Sequence, residues 1–78
     1  MDYYKDGKIY KIYKDNGVGY IVDEENKYLF TIFDVNTKWD ELADGDLVRF
    51  RAEQINDTNR ARFVKKNNLV NENKKPIV

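Results

Sequence analysis

Apolar and polar residues alternate in five short stretches, each closed by a turn signal. Residues 5–14 read Lys-Asp-Gly-Lys-Ile-Tyr-Lys-Ile-Tyr-Lys, a run of β-branched and aromatic types suited to a pleated, half-buried surface. Ile9 and Ile12 stand three apart, so strict alternation fails between them. A β-bulge returns both to the core side, as expected where a strand bends at a barrel corner. The bulge leaves open which way Tyr10 and Tyr13 point. Asp15-Asn16-Gly17 signals a turn, residues 18–22 a second strand, 23–26 a polar turn and 27–33 a third strand. Two successive hairpins predict a three-stranded meander. The pattern breaks over residues 34–45, where Trp39 and Leu42, at i and i+3, fit one helical turn within 37–42. Another turn follows at 43–46. Residues 47–53 form a fourth strand, with Val48, Phe50 and Ala52 alternating against Leu47, Arg49 and Arg51. A polar loop over 56–59 leads to a fifth strand at 60–66, with Ala61 and Phe63 on one face. Tyr28, Phe30, Phe50 and Phe63 are the expected aromatic core.

Three strands, a break and two more predict an all-β chain folded as a five-stranded OB-fold small barrel. Closure removes sheet edges, a hazard for so small a chain. An SH3-like barrel is the main rival. Residues 1–66 make the barrel, and 67–78, rich in Asn and Lys with the one proline, are expected to form a disordered tail.

Within this frame the run Asn16-Gly17-Val18-Gly19-Tyr20-Ile21 stands out. Glycines two apart fall on one face of a strand, and Val18 and Tyr20 on the other. The glycine face admits another backbone closely. The opposite face carries an aromatic on which a base can stack.

Composition narrows the chemistry. At 78 residues with no cysteine and no histidine, the chain lacks disulfides, thiolate metal sites, and the commonest general base and metal ligand near neutral pH. No nucleophile–base pair or phosphate-cradling glycine loop is present, so the expectation is a binding protein rather than an enzyme, with no cofactor and no metal. The Asp23-Glu24-Glu25 run reads as a solvated turn. No apolar run is long enough for a membrane span or a signal-peptide core, and a cytoplasmic location is the default.

Fourteen basic residues balance fourteen acidic ones, but the balance hides segregation. Residues 1–14 carry four lysines against two aspartates, 15–48 two lysines against nine carboxylates, and 49–66 six cations against two carboxylates. Oppositely charged strands pairing across the sheet is one reading. A basic stripe on a neutral protein is the other.

The residues Gly7-Lys8-Ile9, Asn16-Gly17-Val18-Gly19-Tyr20-Ile21 and Tyr28-Leu29-Phe30-Thr31-Ile32 together resemble the bacterial cold-shock domain. That family opens with a Gly-Lys-Val strand and carries the motifs Lys-Gly-Phe-Gly-Phe-Ile and Val-Phe-Val-His-Phe. The similarity continues through Leu42-Ala43-Asp44-Gly45-Asp46-Leu47-Val48-Arg49-Phe50 and covers residues 6–66. It implies an OB barrel that binds single-stranded RNA or DNA on the outer face of strands one to three, with bases stacked on aromatics. Tyr20 keeps an aromatic at the second stacking position of the first motif, and Trp39 falls where the family has a stacking loop phenylalanine. Several positions depart from the pattern. Lys11 stands in the place of the family's tryptophan, Val18 in that of a phenylalanine and Asn16 in that of a lysine. In the second motif Leu29, Thr31 and Ile32 replace Phe, His and Phe.

The resemblance and the basic strands together give a nucleic-acid candidate set of Lys8, Lys11, Tyr20, Trp39 and Arg60. The aromatics would stack, and the cations would track phosphate in weak, largely sequence-independent binding. Asp23, Glu24 and Glu25 at a hairpin tip oppose this by repelling phosphates. Trp39 can equally be a lid on the core. The alternative is a protein-interaction or self-associating module, because Val18, Leu29 and Ile32 form an apolar patch beside Tyr20. Its partner would be another protein, a second copy, or the tail residues Leu69, Val70, Ile77 and Val78.

Overall fold

The computed structural model describes residues 4–67. They form a closed barrel of five strands in the order β1-β2-β3-β5-β4. The strands are β1 (Tyr4–Tyr13), β2 (Val18–Val22), β3 (Lys27–Thr31), β4 (Leu47–Ile55) and β5 (Thr58–Lys66). This is the all-β, OB-like barrel expected from the alternation. No helix among the described residues is long and apolar enough to cross a membrane. The tail expected over 67–78 lies outside the described residues except for Asn67, whose N–H donates to the Leu47 carbonyl at 2.9 Å.

The expected bulge is present. Ile9 pairs with Ile21 and Lys11 with Tyr20, so Tyr10 and Lys11 together oppose one residue of β2. Ile9 and Ile12 both reach the core. On its other edge, where pairing with β4 ends at Lys8 and Leu47, β1 is covered by a loop. The 43–46 turn docks there, with Gly45 N–H on the Ile9 carbonyl at 2.7 Å and Ile9 N–H on the Asp46 carbonyl at 2.9 Å. The Asp44 carboxylate accepts the Ile12 N–H at 2.9 Å.

The two motif glycines have separate duties. Gly17 takes φ +72° to close the turn after β1, a conformation costly for a side-chain-bearing residue. Gly19 faces inward, and a Cβ there would lie 2.8 Å from the Phe30 ring. The core that forms around this contact is Ile9, Ile12, Ile21, Tyr28, Phe30, Leu42, Val48, Phe50, Ala61 and Val64.

Two expectations are corrected. β3 ends at Thr31, and residues 32–34 turn instead into a 3₁₀ helix, so Ile32 and Phe33 leave the sheet. The Thr31 hydroxyl accepts the Phe33 N–H and the Asp34 carboxylate accepts the Thr31 N–H, a capping box that outcompetes the ladder. Phe63 is not core. Arg49 pairs with Lys65 and Arg51 with Arg62, so β5 carries an extra residue between them. Phe63 takes φ +54°, a strained conformation for a bulky side chain, and stays 39% exposed while Val64 fills the core position. The segregated charges do pair: the basic strands reach carboxylates of the acidic 15–48 stretch through Lys5–Asp23, Lys11–Asp44, Arg60 and Arg62 with Asp34, and Lys66–Asp46, and Asp6 meets Arg49 directly across β1 and β4. Arg49 faces Lys65 and Arg51 faces Arg62 directly, and the carboxylates of Asp6, Glu53 and Asp34 offset the repulsion locally.

Candidate nucleic-acid interface

Alternation fixes which side chains stand outside the barrel. On β2, Gly19 and Ile21 are buried, so Val18, Tyr20 and Val22 point outward and are half-buried by their neighbours. Cross-strand pairing then lays out three rows over β1, β2 and β3. The first is Tyr13–Val18–Thr31, the second Lys11–Tyr20–Leu29 and the third Lys8–Val22–Lys27. Tyr10 adds a further ring beside the second row through the bulge.

The structure thus brings Lys8, Lys11, Tyr20, Val18 and Leu29 onto one outer face. Tyr10 and Tyr13 join them, 60% and 45% exposed. The inward phase of Ile9 and Ile12 carries their placement, since each tyrosine immediately follows one of those isoleucines. Lys27 is the other addition. Its ammonium lies 5.1 Å from the Tyr10 ring centre and 5.5 Å from that of Tyr20, within cation–π range of both. Lys11 lies 6.0 Å from the Tyr13 ring and 3.4 Å from Asp44. Lys8 is exposed and makes no side-chain ion pair among the described residues. Three tyrosines and three lysines therefore interleave on this face.

Ile32 sits at the edge of the face. Its N–H continues the β2–β3 ladder to the Gly17 carbonyl at 2.9 Å, and its side chain is 42% exposed. Phe33 follows it, 92% exposed.

Two residues expected to touch nucleic acid are engaged elsewhere. Arg60 is held at the β3–β5 seam, where it donates to the Asp34 carboxylate at 3.0 Å and to the Leu29 carbonyl at 3.4 Å. Trp39 opens a short 3₁₀ turn, Trp39–Glu41. Its ring meets Phe30 edge-on at 5.8 Å and its indole N–H donates to the Lys14 carbonyl at 3.1 Å. It acts as a lid over the core.

Asp34, absent from the candidate set, organises the seam. Among the described residues it is the buried charged side chain. It accepts from Thr31 N–H at 2.9 Å, Thr31 hydroxyl at 3.0 Å, Arg60 at 3.0 Å and Arg62 at 2.9 Å.

At the acidic hairpin tip Asp23 is ionised and paired with Lys5 rather than free. Burial disfavours its charge. The Lys5 ammonium at 2.8 Å, the N–H groups of Glu25 and Asn26 and the Tyr28 hydroxyl outweigh burial and hold the carboxyl well below the usual range. The same hydrogen bond to Asp23, with a second to Tyr28, raises Lys5 above the usual lysine range. An open cleft of about 340 Å³ adjoins the third row, lined by Asp6, Gly7, Lys8, Val22, Asp23, Glu24 and Leu47. Its carboxylate rim does not suit an anion.

Compared with known proteins, the chain matches no family model, and no curated protein matches it significantly.

Proposed function

We propose that this barrel binds single-stranded RNA or DNA, weakly and with little sequence preference, across the outer face of β1, β2 and β3. The observation that carries this reading is the interleaving of Tyr10, Tyr13 and Tyr20 with Lys8, Lys11 and Lys27 on one open face. Every base has a π face, so tyrosine platforms take bases without reading their edges. Lysines between the platforms meet the phosphates that link stacked bases, and the release of counterions makes such binding salt-dependent. The cold-shock resemblance implies the same face. In this chain the platforms are redistributed: aromatics are missing at Lys11, Val18, Leu29 and Ile32, and Tyr10 and Tyr13 supply two others on the same face.

A labelled oligo-dT or oligo-U heptamer tests the proposal. Fluorescence anisotropy at low salt is expected to report binding that weakens as salt rises. Amide shifts in a ¹⁵N-labelled sample are expected to cluster on Tyr10, Lys11, Tyr13 and Tyr20. No binding at tens of micromolar protein, or shifts confined to β4 and β5, would overturn it.

A second reading has its own observation. Ile32 and Phe33 are consecutive, exposed and apolar, and Ile32 lies against Gly17, the residue before Val18. With Leu29 they offer a surface to a protein partner or a second copy. Sedimentation would reveal concentration-dependent self-association that Leu29→Lys abolishes. A monomer at all concentrations counts against the second-copy form.

A further inference from the structure

We infer that the Tyr10 and Tyr20 rings form a base subsite whose resident in the free protein is the protein's own Lys27, and that Lys27 leaves the rings for a phosphate when a base enters. This rests on the nucleic-acid reading above and specifies how one part of that face works. One ammonium lies over both rings, at 5.1 and 5.5 Å from their centres. The two rings therefore share a ligand of the protein's own, with its charge directed at their π faces. Those are the faces that a base would cover.

Lys27 is well suited to leave. It is exposed, and no carboxylate or carbonyl among the described residues holds its ammonium. A cation–π contact in water is weak beside the stacking of a base on an aromatic ring. Its place in the sheet also provides a destination. Lys27 and Lys8 stand on either side of Val22 in one cross-strand row. Once off the rings, Lys27 and Lys8, facing each other across Val22, are two cations of that row open to the phosphates flanking the stacked base. Closure of the site is thus an exchange of one π partner for another, with the displaced charge reused.

Two measurements with an oligo-dT heptamer test this on the full chain. In the free protein, ring currents from two tyrosines displace the Lys27 Cε methylene protons upfield. At saturation these protons are expected to return toward ordinary lysine positions while the Tyr10 and Tyr20 ring signals shift. In Lys27→Met the apolar stem is kept and the charge removed, so one phosphate contact is lost. Between 50 and 200 mM salt the wild type is then expected to lose about two- to three-fold more affinity than the variant, from a slope of about 0.7 per phosphate contact on single strands. If the tyrosine rings move but the Lys27 protons keep their displacement, the exchange is refuted and the nucleic-acid reading stands. An equal salt slope in wild type and variant refutes it too. If neither rings nor lysine respond to the oligonucleotide, both readings fall.

Discussion

Tyr10 owes its position to a single extra residue in β1. Without the bulge, Ile9 and Ile12 would lie on opposite faces and Tyr10 would follow a broken phase. With it, Tyr10 and Lys11 both face Tyr20. On the proposed interface, Tyr10 and Tyr20 each carry a measurable share of binding. Tyr10→Ala and Tyr20→Ala are each expected to weaken oligo-dT binding by about 5- to 150-fold, from roughly 1–3 kcal/mol per stacked base. Their outward position means that thermal stability should change little, so titration and melting of the same variants separate a platform from a structural ring. Gly19 is the opposite case, where a side chain is excluded rather than displayed. Gly19→Ala puts a methyl 2.8 Å from the Phe30 ring and 3.0 Å from the Lys11 carbonyl. Overpacking of this kind costs about 1–3 kcal/mol, and a lower urea midpoint with an unchanged slope is the expected result. Unaltered stability would show that Phe30 yields without cost.

At the scale of elements, what could be read in the chain was whatever alternation and turn chemistry decide locally. β2 falls on residues 18–22 as expected, and the bulge follows from the spacing of Ile9 and Ile12 alone. What could not be read depends on partners distant in sequence. β3 loses Ile32 because Asp34 caps Thr31, and Asp34 is fixed in turn by Arg60, 26 residues on. For the same reason Arg60, which looked like a cation available to phosphate, is a seam residue. Lys27 shares rings with Tyr10 only once the barrel is folded. Tyr20 was legible from period two and Lys8 and Lys11 from the motif resemblance and the basic first strand, while placing Lys11, Tyr10 and Tyr13 on one face with Lys8 needed the bulge. The seam shows how much depends on Asp34. Parallel pairing of β3 with β5 is confined to Leu29 with Arg60, beside an isolated bridge from Val35 to Val64. Asp34→Ala leaves two arginines without their shared carboxylate and the Thr31 amide without its cap, and is expected to cost about 1–3 kcal/mol, because both arginines reach solvent and Arg62 keeps Glu53. Hydrogen exchange should localise the loss, with the Asn36 amide, bonded to the Val64 carbonyl, losing protection before the β1–β2 amides. Uniform loss of protection across the barrel would contradict a separate seam.

For the whole molecule, fourteen carboxylates balance fourteen cations at neutral pH, so acid both builds up positive charge and removes each carboxylate that the fold holds ionised. Asp23 is the clearest of these. Its carboxyl titrates below the usual range in the folded barrel, whereas in the unfolded chain it titrates near 3.9. As pH falls through about 4, the unfolded chain takes up the proton first, and stability declines with falling pH. The contribution is present in full above that window. Lys5 has the opposite sign. Raised in the folded state, it adds stability that is complete below its unfolded value of about 10.4 and is lost only as pH rises beyond it. Both partners therefore contribute fully at pH 7, and only the acid side is open to test under mild conditions. Asp23→Asn keeps the shape of the turn but removes the charge that Lys5 and the Glu25 and Asn26 amides hold. Urea midpoints measured from pH 7 to pH 2 should start lower for the variant and fall less steeply below pH 4, so that the two curves converge. Parallel curves would mean that the Lys5–Asp23 pair does not supply the acid sensitivity of the fold. Because the pair ties the start of β1 to the β2–β3 hairpin, convergence would also show that this hairpin tip, the most acidic stretch of the chain, is fastened to the barrel by charge.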